Sequence, residues 1–408
     1  MENMDIDFVR SQFPGLETGW TFFDNAGGTQ ILARVVDRMS DFLFNTNVQT
    51  GGSYELSRKA AAALQAGRVA MQHFVNAERA EEIAFAPSTT VALQNLARSM
   101  ASQFEPGDEI VITVSDHESN IGPWVGLESL GVKIKTWKLG KSSLELSLAD
   151  LDKLMTERTR LVAVTHVSNI LGTINPVGEI AQFVHERGAL ICVDSVAFAP
   201  HRAIDVAAWD VDFLALSLYK VFGPHFAVLY GKYDLFAQLD NLYHYFYGKD
   251  KVPAKLEPGN ASYELAYSST GIVDYLAELG QQGGCAGTVR EKIVAAYDQI
   301  CCHENLLAER LLQYLRGRND CRIVGFPQGD DPHRVPTISF VIADRDAAEI
   351  TRRVDPYRIA VRYGDFHARR LVEYLELDGN NGVVRVSMTH YNTLEEVAAL
   401  VAALDEIL

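Results

Sequence analysis

LVAVTHVSNILGTINPVGEIAQFVHERGALICVDSV, residues 161–196, carries the pattern that decides the fold. Residues 161–168 form a short run rich in valine, with the length and composition of a buried strand. INPVGEIAQFVHERG (174–188) then places its apolar residues at helical spacing and stops at Gly188. LICVDSV (190–196) returns to an apolar strand. Two such strands joined by a helix run parallel, and helices must cover the sheet on both faces. The alternation extends outward. Upstream, EEIAFAP (81–87) reads as a strand, STTVALQNLARSM (88–100) as a helix and DEIVITVS (108–115) as a strand. Downstream, VDFLALSLY (211–219) and FAVLYG (226–231) are further strands. Functional groups on such a sheet gather beyond the carboxyl ends of its strands.

Past about residue 255 the texture changes. IVDYLAELGQQ (272–282) and RLLQYLRGR (310–318) read as long helices, followed by strands TISFVIA (337–343) and GVVRVSM (382–388). YNTLEEVAALVAALDEIL (391–408) closes the chain as an amphipathic helix. Thr393 and Glu396 are spaced for a capping box, and Val397, Leu400, Val401, Leu404 and Leu408 lie on one stripe. This suits a smaller α+β unit, and 408 residues suit two domains. Thirty-seven basic against fifty-three acidic residues leave a formal charge of −16, which disfavours nucleic acid and anionic membranes. Five cysteines without a C-x-x-C pair argue against a disulfide framework or a zinc ribbon, so no metal site is expected and the compartment is reducing. MENMDIDFVR has no apolar leader and no long apolar run follows, so the expected location is the cytoplasm. Neither a Walker loop nor G-x-G-x-x-G occurs.

Lys220 ends an apolar strand just before Gly-Pro, where partial desolvation lowers an amine's pKa and exposes its lone pair. Asp194 ends the preceding strand, LICVD, and so reaches the same sheet edge. A lysine that holds an aldehyde and an acid that keeps a pyridine nitrogen protonated are the two groups pyridoxal 5'-phosphate requires. Ser88, Thr89 and Thr90 open a helix directly after a strand, an arrangement suited to a phosphate. His117 and Asn169 also lie just past strands, placed to stack on a flat ring and to hydrogen-bond its hydroxyl. Arg385, in VVRVSM, is of the type that reads a carboxylate with two parallel bonds. Each has an ordinary use as well: a snorkelling lysine, a turn aspartate or asparagine, a helix cap, a loop histidine, a surface ion pair.

Together and in this order, these residues resemble the class V aminotransferase family of fold-type I pyridoxal phosphate enzymes, and within it the cysteine desulfurase-like branch. FDNAGGTQ (23–30), GDEIVITVSDHESNIGPW (107–124), THVSNILGTINPVGEIA (165–181), DFLALSLYKVFGPH (212–225) and VRVSMTHYNTLEEV (384–397) carry the resemblance. It implies an α/β large domain over 18–258, built on a mostly parallel seven-stranded sheet, with a smaller α+β domain from 1–17 and 259–408. It implies that Lys220 is the Schiff-base lysine, that Asp194 pairs with the ring nitrogen, that His117 stacks on the ring and that Asn169 meets its hydroxyl. Thr89, Thr90, Ser217 and Tyr219 hold the phosphate on this reading. Arg385, Asn25, Ala26, Arg362, His367 and Tyr54 surround a small amino-acid substrate. A homodimer is implied, with Asn260 of EPGNASYEL reaching a neighbour's phosphate.

Four positions depart from the branch. Tyr219 stands where a histidine is usual, Ala197 where a glutamine is common, and Asn260 where a threonine is common. VRYGDFHARRL (361–371) aligns with the loop that carries the desulfurase cysteine, yet contains none, and His367 falls at or near that position. The expectation is therefore loss of a group that leaves the β-carbon unaided, such as sulfinate or carbon dioxide from cysteine sulfinate or aspartate, with an aldehyde as one trap for the resulting enamine. An aminotransferase or epimerase, a persulfide-forming desulfurase and a non-catalytic cofactor-binding protein are the alternatives.

Overall fold

The computed structural model describes residues 4–329 and 332–408; residues 1–3, the start of the segment assigned to the smaller domain, lie outside the described residues. A two-residue strand β1 (Thr21–Phe22) precedes the large sheet, which is made of β2 (Ile83–Ala86), β3 (Glu109–Thr113), β4 (Lys133–Trp137), β5 (Thr159–Thr165), β6 (Leu190–Asp194), β7 (Phe213–Ser217) and β8 (Ala227–Gly231). Their order is β2-β8-β7-β6-β5-β3-β4, with only β8 antiparallel to its neighbours. The expected mostly parallel seven-stranded sheet is present. All residues of β2, β3, β7 and β8 are buried, as near-continuous apolar strands covered on both faces must be. Register places Thr165 beside Asp194 and Asp194 beside Ala215, so β5, β6 and β7 finish at one edge.

The smaller sheet comprises β9 (Cys321–Val324), β10 (Thr337–Ile342), β12 (Arg362–Gly364) and β13 (Val383–Ser387), ordered β12-β13-β10-β9 and wholly antiparallel. β11 (Ile359–Ala360) pairs with β1 instead. The helix Leu394–Ile407 covers this sheet, and its capping box forms: the Glu396 N–H donates to Thr393 Oγ1 and the Thr393 N–H to Glu396 Oε2. Val397, Leu400 and Leu404 are buried, whereas Val401 and Leu408 sit at the margin of the stripe.

The hydrophobic cores divide elsewhere than at residue 258. The helices Tyr263–Ser268 and Thr270–Gln282 pack on Ala33–Asn45 and Glu55–Val75, and Ile272, Tyr275, Leu276 and Leu279 belong to the core of the large sheet. Val9 and Phe13 join that core too. The long helix Val289–Arg316 serves both units, giving Ile293 and Ile300 to the first and Leu307 and Leu311 to the small-sheet core. An apolar helix face goes to whichever sheet leaves surface uncovered, which chain position alone does not reveal. Among the described residues no helix is long and apolar enough to cross a membrane.

Candidate active site

The edge where β5, β6 and β7 end opens into a cavity of about 390 Å³. Lys220 reaches it from a short turn after β7, closed by the Val221 and Gly223 N–H groups donating to the Leu218 carbonyl. FDNAGGTQ crosses this turn. The Thr29 N–H donates to the Tyr219 carbonyl, and the Phe222 N–H to Thr29 Oγ1 at 2.8 Å. Burial pulls the Lys220 amine down to about 8; Arg385 adds to the shift and Asp194 opposes it. Asp194, at the end of β6, accepts the Val196 N–H on Oδ1 at 2.9 Å. Burial pushes its carboxyl up, against the pull of Lys220.

A row of hydroxyls forms one wall. Ser88 caps the helix Thr89–Met100 by accepting the Val91 N–H. Thr89 Oγ1 lies 2.6 Å from Ser217 Oγ, and Thr90 Oγ1 lies 2.8 Å from Ser119 Oγ. All five hydroxyl residues line the cavity at the positive end of a three-turn helix, a setting for an anion. Tyr219 lines it as well, half-buried and stacked on His225 at 4.7 Å. Burial raises its phenol pKa, so the hydroxyl stays neutral and able to donate.

His117 and His367 face each other across the cavity with ring centroids 5.2 Å apart. His117 Nδ1 accepts the Ser119 N–H at 3.0 Å, which places the ring proton on Nε2. Burial, then Lys220, His367 and Arg385, push its pKa down to about 3, so the ring is neutral. His367 and Phe366 hold left-handed backbone, φ 60° and 50°, in the loop that follows β12. That loop is tied down at three points. The Phe366 carbonyl accepts from Asn169 Nδ2 at 2.9 Å, the His367 carbonyl accepts the Glu118 N–H, and Arg370 pairs with Glu118 at 2.7 Å.

Asn169 lines the cavity, and its Oδ1 is buried and without a partner among the described residues. Arg385 lies one contact behind the lining. Its Nη1 donates to the Asn169 carbonyl at 3.1 Å, its Nη2 to Asp24 Oδ1 at 3.1 Å, and the Phe366 ring covers its flat face at 3.6 Å. Burial lowers its pKa to about 10, with Asp24 opposing. Arg362, on β12, is exposed and donates to Asp24 Oδ2 at 3.3 Å.

The structure thus gathers Lys220, Asp194, His117, Asn169, Thr89, Thr90, Ser217, Tyr219 and His367 around one cavity, with Ala197 in its wall. Other expected residues lie apart. Asn25 is buried with its amide spent on the Phe22 and Ser387 carbonyls and Asn392, and its Oδ1 on Tyr391. Ala26 offers its N–H to Ser387 Oγ. Tyr54 is 52% exposed, and Asn260 stands in an exposed turn at φ 76°. Ser119, Thr165, Val196 and Asp24 escaped the sequence reading, although Ser119 sits two residues from His117. None of the five cysteines lines the cavity; Cys192, inside β6, is buried and its thiol pKa is pushed well up.

These residues fit pyridoxal 5'-phosphate. Lys220 would hold its aldehyde carbon, Asp194 its ring nitrogen, the hydroxyl wall its phosphate, and the unpartnered Asn169 Oδ1 its ring hydroxyl. Comparison with known proteins agrees with this fit. Residues 21–400 match the family model described as Aminotransferase class-V. Over its whole length the chain is 40% identical to the aminotransferase-like protein FGM3 of Gibberella zeae, of which it covers 99%. It is 33% identical to the cysteine desulfurase-like protein ustD of Aspergillus flavus, again over its whole length and 92% of that protein. The apo structure of the cysteine desulfurase from Thermococcus onnurineus superposes with a TM-score of 0.88 at 26% identity, covering all of this chain and 98% of that one. The chain, with this cavity at the carboxyl edge of its large sheet, belongs to the class-V aminotransferase family of pyridoxal phosphate-dependent enzymes.

Proposed function

We propose that this enzyme acts at the β-carbon of a small L-amino acid of the cysteine sulfinate or aspartate type, where the sulfinate group leaves as sulfur dioxide, recovered as sulfite, or the carboxylate as carbon dioxide, the bonding pair staying on the β-carbon. The observation that carries the reading is the loop over the cavity, which presents His367 and no thiol while Lys220, Asp194 and Asn169 stand in place. A persulfide needs a cysteine nucleophile, whereas sulfinate and carboxylate leave a carbon on their own.

The cofactor, when bound, would supply an electron sink for charge that develops on the substrate's carbon skeleton. Lys220 Nζ, desolvated and with a pKa near 8, takes and returns the α-proton. Asp194 would hold a proton on the ring nitrogen. His117, neutral and fixed by Ser119, would cover one face of the ring without adding a charge. Arg385 receives the α-carboxylate, and Arg362 and His367 face the side-chain acid. Phe366, packed on Arg385, keeps water from one face of that guanidinium. A second copy of the chain completes the phosphate wall through Asn260 and the mouth through Tyr54, neither of which lines its own cavity.

Incubation of the purified holoenzyme with L-cysteine sulfinate or L-aspartate, without any keto acid, tests the reading. Alanine is expected in equal amount with sulfite or carbon dioxide. Turnover that appears only when a keto acid is added, or sulfur from L-cysteine lodged on a cysteine of the chain at the turnover rate, would overturn it. An aldehyde included in the assay reports whether the β-carbon is captured instead of protonated.

A further inference from the structure

One edge of Arg385 is half used. Nε and Nη2 point the same way and together form the fork that grips a carboxylate with two parallel bonds. Nη2 is taken by Asp24 Oδ1 at 3.1 Å, while Nε has no partner among the described residues although the residue is only 2% exposed. The Asn169 carbonyl closes the opposite edge and the Phe366 ring the flat face. The edge of Nε and Nη2 lies just behind the cavity lining, and Asp24 stands across half of it. Asp24 also has a second hold: Oδ2 accepts from Arg362 at 3.3 Å, and the Arg362 side chain is 56% exposed and able to follow it. A side chain at Gly27 would jam this pair, because its Cβ would come within 2.9 Å of Arg362 Nη1 and of both Asp24 oxygens.

We propose that Asp24 is a resident carboxylate on Arg385 which the substrate's acid group displaces toward Arg362, so that Asp24 sets how tightly the site binds acids and which acids it prefers. The inference rests on Arg385 as the receiver of the substrate carboxylate. A buried guanidinium without a counter-charge is costly. Asp24 offsets that cost in the empty site, and each substrate must compete with it. Two guanidiniums and one resident carboxylate leave one net positive charge, which matches one acid group. Without Asp24 the site carries two, which favours amino acids with a second acid.

Calorimetric titration of the holoenzyme with L-alanine, which has one carboxylate and no leaving group, tests this, with the KM for L-aspartate as the second readout. Asp24→Asn is expected to tighten L-alanine about tenfold, since a hydrogen-bonded competitor charge is removed, and to lower the KM for L-aspartate by more. Arg362→Gln, at an exposed position, is expected to weaken both several-fold by leaving Asp24 with Arg385 alone. If Asp24→Asn binds L-alanine no better than the wild type, or more weakly, Asp24 is a fixed orienting partner and the proposal falls. If Asp24→Asn does not fold, unchanged binding by Arg362→Gln overturns it just as well. Arg385→Gln separates the two readings. Wild-type affinity for L-alanine in that variant defeats Arg385 as carboxylate receiver, whereas lost affinity there with no tightening in Asp24→Asn defeats the displacement alone.

Discussion

Lys220 is buried at a site whose pKa of about 8 lies below the ordinary 10.5 of a lysine. Between those two pH values the unfolded chain binds a proton that the folded apoenzyme does not, so stability rises with pH across that window. Below pH 8 both states are protonated and the full cost of the buried charge is felt. Lys220→Met should therefore make the apoenzyme more stable than wild type below pH 8, with the gap closing between pH 8 and 10.5. Urea midpoints of both proteins across that range check this, and a gap that stays constant would contradict it. The same variant should lose turnover by a factor on the order of 10²–10⁴, the usual worth of a placed acid–base group. Lys220, Asp194, Thr89 and Asn169 were legible in the sequence because each follows an apolar strand and strand ends share an edge. Asp24 was not. Its meaning depends on Arg385, 361 positions away, and on a ring at Phe366 that no local pattern links to either.

At the scale of elements, close crossings decide which helices cover which sheet. Gly67, in the helix Glu55–Val75, touches the helix Tyr263–Ser268 so closely that a Cβ would lie 2.2 Å from the Ala266 carbonyl oxygen. Gly67→Ala would gain about 1 kcal/mol of helix propensity in isolation. The clash is with backbone, which cannot rotate aside, so a net loss of about 1–3 kcal/mol is expected from overpacking. A chemical denaturation curve measures it, and unchanged or improved stability would show that the two helices can separate freely. Most strands of the large sheet were readable because burial on both faces leaves an apolar run. β4 was missed since KIKTW is an edge strand with a lysine at each of its first and third positions, four of its five residues not fully buried. β9 and β12, the two edges of the small sheet, escaped for the same reason. That the helix Val289–Arg316 serves two cores was not readable, because a helix's apolar face does not state what it will pack against.

Across the whole molecule, apolar side chains remain outside: Phe44 is 85% exposed, Tyr245 97% and Phe246 67%. Tyr245 and Phe246 also pack edge to face on each other, so they form an apolar spot suited to association. Light scattering should return about twice the 45.2 kDa chain mass. Replacing Tyr245 and Phe246 by arginine should shift that mass toward one chain and lower activity with it; a wild type that is fully active as a single chain would refute the shared site. Asn169 ties the molecule together in another way. One amide spends its donor on the loop at Phe366, 197 positions later, and leaves its acceptor unpartnered among the described residues, while its own peptide carbonyl steadies Arg385. Turning the amide to please one neighbour withdraws it from the other. By linkage, whatever binding at Asn169 does to the order of residues 361–368, the order of those residues does equally to that binding.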